Sequence, residues 1–255
     1  MNININGINI NYRDEGNGNP IVLLHGWGSN ITLFNGIFEL LSNNYRVVAL
    51  DMPGFGESDE PHNIWGVDDY VDFVWTFIKK LKIDNFSVLG HSFGGRVIIK
   101  MANRKEIADS IDKIILVDSA GIKPKRTISY HIKVRSYKIT KGILSFYPIK
   151  KLFPNALEKY KKGKGSADYN RASEIMKGCL VKTVNEDLTP LLKKINKETL
   201  IIWGEDDDAT PLSDGKLMEK LIPDSGLATI KNAGHYSFLD QKYIFERILA
   251  SYMQV

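Results

Sequence analysis

The 255-residue sequence has a single cysteine, Cys179. That excludes an intramolecular disulfide and any zinc site built on several thiolates. It has no apolar run near the ~18 residues of a membrane span. Its opening, Met1 to Asn6, alternates polar and apolar residues and lacks the continuous apolar core of a secretory signal. The expectation is a soluble, cytoplasmic protein. With 43% hydrophobic and 25% charged residues, the chain is neither disordered nor collagen-like. At this length an α/β chain can bury roughly three quarters of its unfolded surface as one domain, without a staple. Histidine is scarce as well, with only His25, His62, His91, His131 and His235.

The net charge of +4 hides a segregation. Segment 121–187 holds 16 of the 34 basic residues but 5 of the 30 acidic ones. A solvated lysine-rich face is the ordinary explanation. The sharper one is a surface that meets an acidic partner, such as an acyl group carried on an acidic protein or on coenzyme A. Nucleic-acid binding is not favoured, because the basic residues form no known reading motif.

Apolar periodicity gives the organisation. Ile3, Ile5, Ile8 and Ile10 flank Asn6-Gly7, a strong hairpin signal. Short apolar runs at 20–26, 46–51, 86–90, 113–118, 200–204 and 227–230 read as strands. Helical spacing falls between them, at 32–42, 67–81, 94–104 and up to 222, with a closing helix over 238–252. Strands alternating with helices imply a mainly parallel sheet with helices on both faces. The 80 or so residues from Asp118 to Leu200 break the rhythm. Ala172, Ile175, Met176, Cys179 and Thr183 lie there at helical spacing, so this stretch reads as a helical insertion rather than a long loop.

Gly90-His91-Ser92-Phe93-Gly94 fits the G-x-S-x-G elbow between a strand and a helix. The turn is so sharp that the positions two before and two after the serine must be small. A serine hydroxyl is a weak nucleophile and needs a base, and the base needs an acid to orient it. His235, on a loop after the last strand, is the choice of base. His91 adjoins the serine and would point away from it, and His25 would bond backbone at a strand end. The acid should follow a strand between serine and histidine. Asp206, Asp207 and Asp208 do so, and Asp207 is chosen from its spacing to Gly204 and Pro211. Asp118 is the alternative. Two N–H donors would hold a developing oxyanion, those of Phe93 and of Trp27 in His25-Gly26-Trp27-Gly28. This chemistry calls for no metal and no organic cofactor.

Together with Asp51-Met52-Pro53-Gly54-Phe55-Gly56-Glu57-Ser58, these motifs occur in the order found in the α/β-hydrolase superfamily, which the chain resembles over nearly its whole length outside the insertion. The resemblance implies an eight-stranded, mostly parallel sheet with a helical cap after the sixth strand. The core would be 1–120 and 188–255, and the cap 121–187. Members that act on epoxides or haloalkanes carry aspartate at the elbow, where this chain has Ser92. Peptidases for N-terminal proline often carry tryptophan after the serine, where this chain has Phe93. Hydrolases that cleave carbon–carbon bonds of ring-fission products usually carry asparagine before it, where this chain has His91. Carboxylesterases and thioesterases commonly show Gly-His-Ser-x-Gly-Gly. A carboxylic ester or thioester of a small to medium acyl group is therefore the expected substrate, with Phe146, Tyr147 and Met176 of the cap against it. The alternatives are a carbon–carbon hydrolase and a non-catalytic ligand-binding member of the fold.

Overall fold

The computed structural model describes residues 1–123 and 172–255, with 135, 136, 139, 140, 144 and 170 between them. Eight strands form one sheet: β1 (Asn2–Ile5), β2 (Ile8–Glu15), β3 (Asn19–Leu24), β4 (Tyr45–Leu50), β5 (Phe86–His91), β6 (Ile111–Val117), β7 (Thr199–Gly204) and β8 (Ser225–Ile230). Their order is β1-β2-β4-β3-β5-β6-β7-β8. The first two pairings are antiparallel and all the others parallel. At the β1–β2 turn, Asn6 and Gly7 both take positive φ, 52° and 83°, as the two-residue hairpin requires.

The runs read as strands are apolar throughout because both faces of the sheet are covered. In β3, Ile21 and Leu23 enter one core, and Val22 and Leu24 the other. The first core packs on α1 (Asn35–Leu41) and the closing helix through Phe38, Leu41, Phe245 and Leu249. The second packs on α2 (Val67–Lys80) and α3 (Phe93–Met101) through Val71, Val74, Val97 and Ile98. Behind α3 comes the short α4 (Lys105–Ala108). Among the described residues no helix is long and apolar enough to cross a membrane.

Two helices differ from the periodicity. The expected helix at 32–42 begins as a 3-10 turn, Ile31–Phe34, capped by the Asn30 side chain, which accepts from the Thr32 N–H at 2.9 Å. The expected closing helix is two. Gln241 has φ −131° and ψ 55°, which ends a short helix at Asp240 before the long one starts at Lys242. The break turns the short segment back onto the loop before it, where the Asp240 carboxylate accepts from the Gly234 N–H at 2.8 Å. No apolar pattern carries that information.

Most of the insertion, including Phe146 and Tyr147, lies outside the described residues. Its last part is the helix α5 (Glu174–Val184), with Met176, Cys179 and Thr183 buried as the spacing implied. The chain leaves the sheet at Gly121 and returns at Leu188, whose N–H donates to the Gly121 carbonyl at 2.9 Å. Arg96 of α3 also donates to the Glu186 carbonyl at 2.8 Å. The helices α6 (Thr189–Leu192), α7 (Leu212–Leu221), α8 (Ser237–Asp240) and α9 (Lys242–Met253) are the remaining ones among the described residues.

Packing under the elbow leaves no room for a side chain. A Cβ on Gly94 would lie 2.1 Å from the Leu24 carbonyl oxygen, which is backbone and cannot step aside. Gly94→Ala is therefore expected to destabilise by roughly 3 kcal/mol or more, at the upper end of overpacking effects. Gly226 has nothing within 4 Å of such a Cβ, and Gly226→Ala should shift stability by less than about 1 kcal/mol. Urea midpoints of the two variants check the contrast.

Candidate active site

Parallel strands bring their C-terminal ends to one edge, and in open α/β sheets that edge is where sites form. Here it carries the loops after β3, β5, β6, β7 and β8. Ser92 follows β5 directly and has φ 50° and ψ −110°. A serine is seldom held in that backbone conformation, and strain of this kind collects at functional sites. The glycine requirement read from the sequence has its cause here, in the clash of Gly94 with β3.

Ser92 Oγ lies 2.9 Å from His235 Nε2, and His235 Nδ1 lies 2.8 Å from Asp207 Oδ2. A carboxylate only accepts, so Nδ1 carries the proton and Nε2 is left to accept from the serine hydroxyl. Of the three consecutive aspartates, Asp206 and Asp208 are exposed and Asp207 is buried. Its Oδ1 accepts from the N–H groups of Ala209 and Thr210, and its Oδ2 also accepts from the Thr210 hydroxyl at 2.7 Å. Burial pushes the Asp207 pKa up, but the bonds from His235 and Thr210 outweigh it and hold the carboxyl below its ordinary value.

The loop after β3 runs beside the elbow. A Cβ on Gly26 would be 3.2 Å from Ser92 Cβ, and the Trp27 and Phe93 rings pack edge to face at 5.2 Å. His25 is buried with its Nδ1 on the Gly26 carbonyl at 2.8 Å, while its Nε2 accepts from the Met52 N–H at 2.9 Å. Both nitrogens are therefore engaged with backbone, as its place at a strand end suggested. His91 lies beneath His235, the ring centroids 4.9 Å apart, with its Nε2 donating to the His235 carbonyl at 2.7 Å. Burial first, and then the neighbouring His235, push the His91 pKa down to about 3. The Asp118 carboxylate makes no hydrogen bond to the His235 ring. It accepts from Gly204 and Ser237 instead. Burial raises its pKa to about 6 against the pull of those donors.

The chain has relatives among known proteins. A family model for the alpha/beta hydrolase fold matches residues 19–138. The AB hydrolase superfamily protein YisY of Bacillus subtilis is 28% identical, over 94% of this chain and 93% of its own. The chain has the α/β-hydrolase fold. A second relative is the 2-hydroxy-6-oxo-2,4-heptadienoate hydrolase of Pseudomonas putida, 25% identical over 97% of this chain and 93% of its own. The enol-lactonase of Burkholderia xenovorans LB400 shares the fold, with a TM-score of 0.76 and 20% identity, over 100% of both chains. These likenesses support hydrolase activity and leave the substrate open.

The chain also has a cavity of about 270 Å³ bordered by Trp27, Phe55, Glu60, Ala172, Ser173 and Met176. Met176, picked out in the sequence, thus forms a wall shared with the loop after β3. Thr210 was not singled out in the sequence. Its hydroxyl lies 2.7 Å from Asp207, 3.0 Å from the Asp118 carbonyl and 3.2 Å from His235 Nδ1. A hydroxyl three residues after a candidate acid is the local signal that could have found it, since such pairs close a turn.

Proposed function

We propose that this protein cleaves carboxylic esters or thioesters of a small to medium acyl group through an acyl-enzyme on Ser92. The observation that carries the reading is the hydrogen-bonded chain from Asp207 through His235 to Ser92 on a strained elbow. Ser92 Oγ attacks the acyl carbonyl carbon while His235 Nε2 takes its proton. Asp207 holds the imidazole in the tautomer that leaves Nε2 free, and stabilises the imidazolium that forms. The oxyanion is met by the N–H groups of Phe93 and Trp27, each worth roughly 10²–10³ in rate. The tetrahedral intermediate collapses, and His235 gives its proton to the departing alkoxide or thiolate. Water then adds to the acyl-enzyme with His235 as base, and the acid leaves as Ser92 regains its proton. The cap (121–187) would set acyl-group choice, with Met176, Phe146 and Tyr147 against the substrate, and its basic surface would suit an acyl group on an acidic carrier.

A second reading is hydrolysis of a carbon–carbon bond in a ring-fission product, favoured by the Pseudomonas putida relative. The two separate on a panel of p-nitrophenyl esters of rising acyl length, run beside a conjugated 2-hydroxy-6-oxo-dienoate whose colour is lost on cleavage. The expected result is ester turnover with an optimum at short to medium chains and slower loss of the dienoate. Dienoate turnover with a silent ester panel would replace the first reading with the second.

A further inference from the structure

The residues of the proposed reaction that carry the proton come from three loops, after β5, β7 and β8. The turn after β6 supplies none of them, yet it is hydrogen-bonded to all three loops. The Ser92 N–H donates to the Val117 carbonyl at 3.1 Å, and the Ala120 N–H donates to the Ser92 carbonyl at 3.0 Å. The end of β6 and the turn after it thus grip the elbow from both sides. Between these two bonds lies Asp118, fully buried, with φ 44°. Its Oδ1 accepts from the Gly204 N–H at 2.8 Å, at the base of the loop that carries Asp207. Its Oδ2 accepts from the Ser237 N–H at 3.0 Å and the Ser237 hydroxyl at 2.6 Å, two residues after His235. Its backbone joins in. Its N–H donates to the Ile202 carbonyl of β7 at 3.0 Å, and its carbonyl accepts from Thr210, which also bonds Asp207.

We infer that Asp118 is a positioning residue, the clamp that fixes the spacing of Asp207 and His235 relative to Ser92. The inference rests on the Ser92 reaction proposed above. A merely structural aspartate would need only to satisfy its own turn. This one reaches two other loops, one with each oxygen. The three donors on its carboxylate are neutral groups, and a carboxylate can take all three because both its oxygens only accept. An amide cannot. In Asp118→Asn one oxygen becomes an NH₂, which would face either the Gly204 N–H or the Ser237 pair donor to donor. The loop that loses its bond then drifts, and a displacement near 1 Å costs about 100-fold in a positioned reaction. The substrate contacts lie elsewhere, so binding should be spared.

The test uses the full chain with a good ester from the panel. Sites are counted by titration with a fluorophosphonate, so kcat refers to competent enzyme. Asp118→Asn is expected to lower kcat by about 10- to 100-fold with KM within about threefold. The low-field NMR resonance of the His235 Nδ1–H, which reports the bond to Asp207, is expected to shift or broaden. Wild-type kcat per titrated site with an unmoved resonance would overturn the inference. Should Asp118→Asn fail to fold, Ser237→Ala removes one donor and keeps the carboxylate. It should lower kcat several-fold and move the same resonance, while Ser237→Thr restores both. Unchanged values in Ser237→Ala would overturn the inference too. Ser92→Ala runs alongside. Ester turnover surviving there would defeat the reading of the reaction, whereas the resonance needs no substrate and judges the clamp by itself.

Discussion

Ser92→Ala is expected to lower ester turnover by on the order of 10⁶ in kcat, with little change in stability. The two halves of that expectation have separate causes. The serine contributes one oxygen, 2.9 Å from His235 Nε2, and without it no acyl-enzyme can form. The fold around it does not depend on that oxygen. An alanine in its place keeps the Cβ, the φ of 50° and both backbone hydrogen bonds to the end of β6 and the turn after it. Adding His235→Ala should then cost nothing further, because a base with no hydroxyl to deprotonate has lost its task and groups that act as a unit are not additive. Asp207→Asn should fall short of this, near a loss of about 10⁴. Its amide would offer hydrogens to His235 Nδ1 and favour the tautomer whose Nε2 bears a proton. The measurement is kcat on the preferred p-nitrophenyl ester for wild type and these variants, with urea midpoints taken alongside. A Ser92→Ala protein that still turns over, or a double variant far below the singles, would place the chemistry elsewhere.

The second large effect is on stability at acid pH. An unfolded histidine binds a proton near a pH of about 6.5. His91 in the folded protein does so only near pH 3, because it is buried and faces His235. Between those values the unfolded chain holds the extra proton, so stability falls as pH drops from about 6.5 to about 3. His91 alone accounts for up to roughly 5 kcal/mol of that loss. Burial lowers the His25 pKa too, which adds in the same direction. Asp207 has a depressed pKa, so its contribution is present at neutral pH and is lost as pH falls through the folded value. Asp118 opposes them. Its folded pKa of about 6 lies above the ordinary value of 3.8, so its stabilising contribution is full only below the latter and is lost as pH rises through 6. The balance still favours loss on acidification. Urea unfolding at intervals between about pH 7 and about pH 4 should show a steady decline in wild type. His91→Asn keeps an amide donor but cannot titrate, so its curve should start lower and converge with wild type as pH falls. Parallel curves would remove His91 from this account.

Much of the fold was legible because its signals are local. A strand covered on both faces is written as a continuous apolar run, and a tight elbow is written as glycines at fixed offsets. The hairpin at Asn6-Gly7 is of the same kind. What was not legible depends on partners far away in the chain. Asp118 bonds Gly204 and Ser237, 86 and 119 residues on, and nothing near Asp118 announces them. An aspartate ending an apolar strand with no helix to cap was the available hint. The three aspartates after β7 differ in sequence only in their spacing to Gly204 and Pro211, and it is burial and the bond to His235 that set Asp207 apart in the structure. The closing helix kept its periodicity across Gln241, so the break needed Asp240 and Gly234 to be seen together. At the elbow, spacing favoured His235 over His91. The structure puts the first on the serine and the second on the carbonyl of the first.

The bond between Leu188 and Gly121 has one further consequence. The insertion leaves and re-enters the core through neighbouring points, with both ends fixed to structure that the sheet provides. Such a junction is a cassette boundary. Inserts of different length and shape can be spliced across it at nearly the same loop-closure entropy, since that grows only with the logarithm of length. The core presents the same two attachment points to each of them. A lineage, or a protein engineer, can therefore exchange the segment between the two points while inheriting the core unchanged.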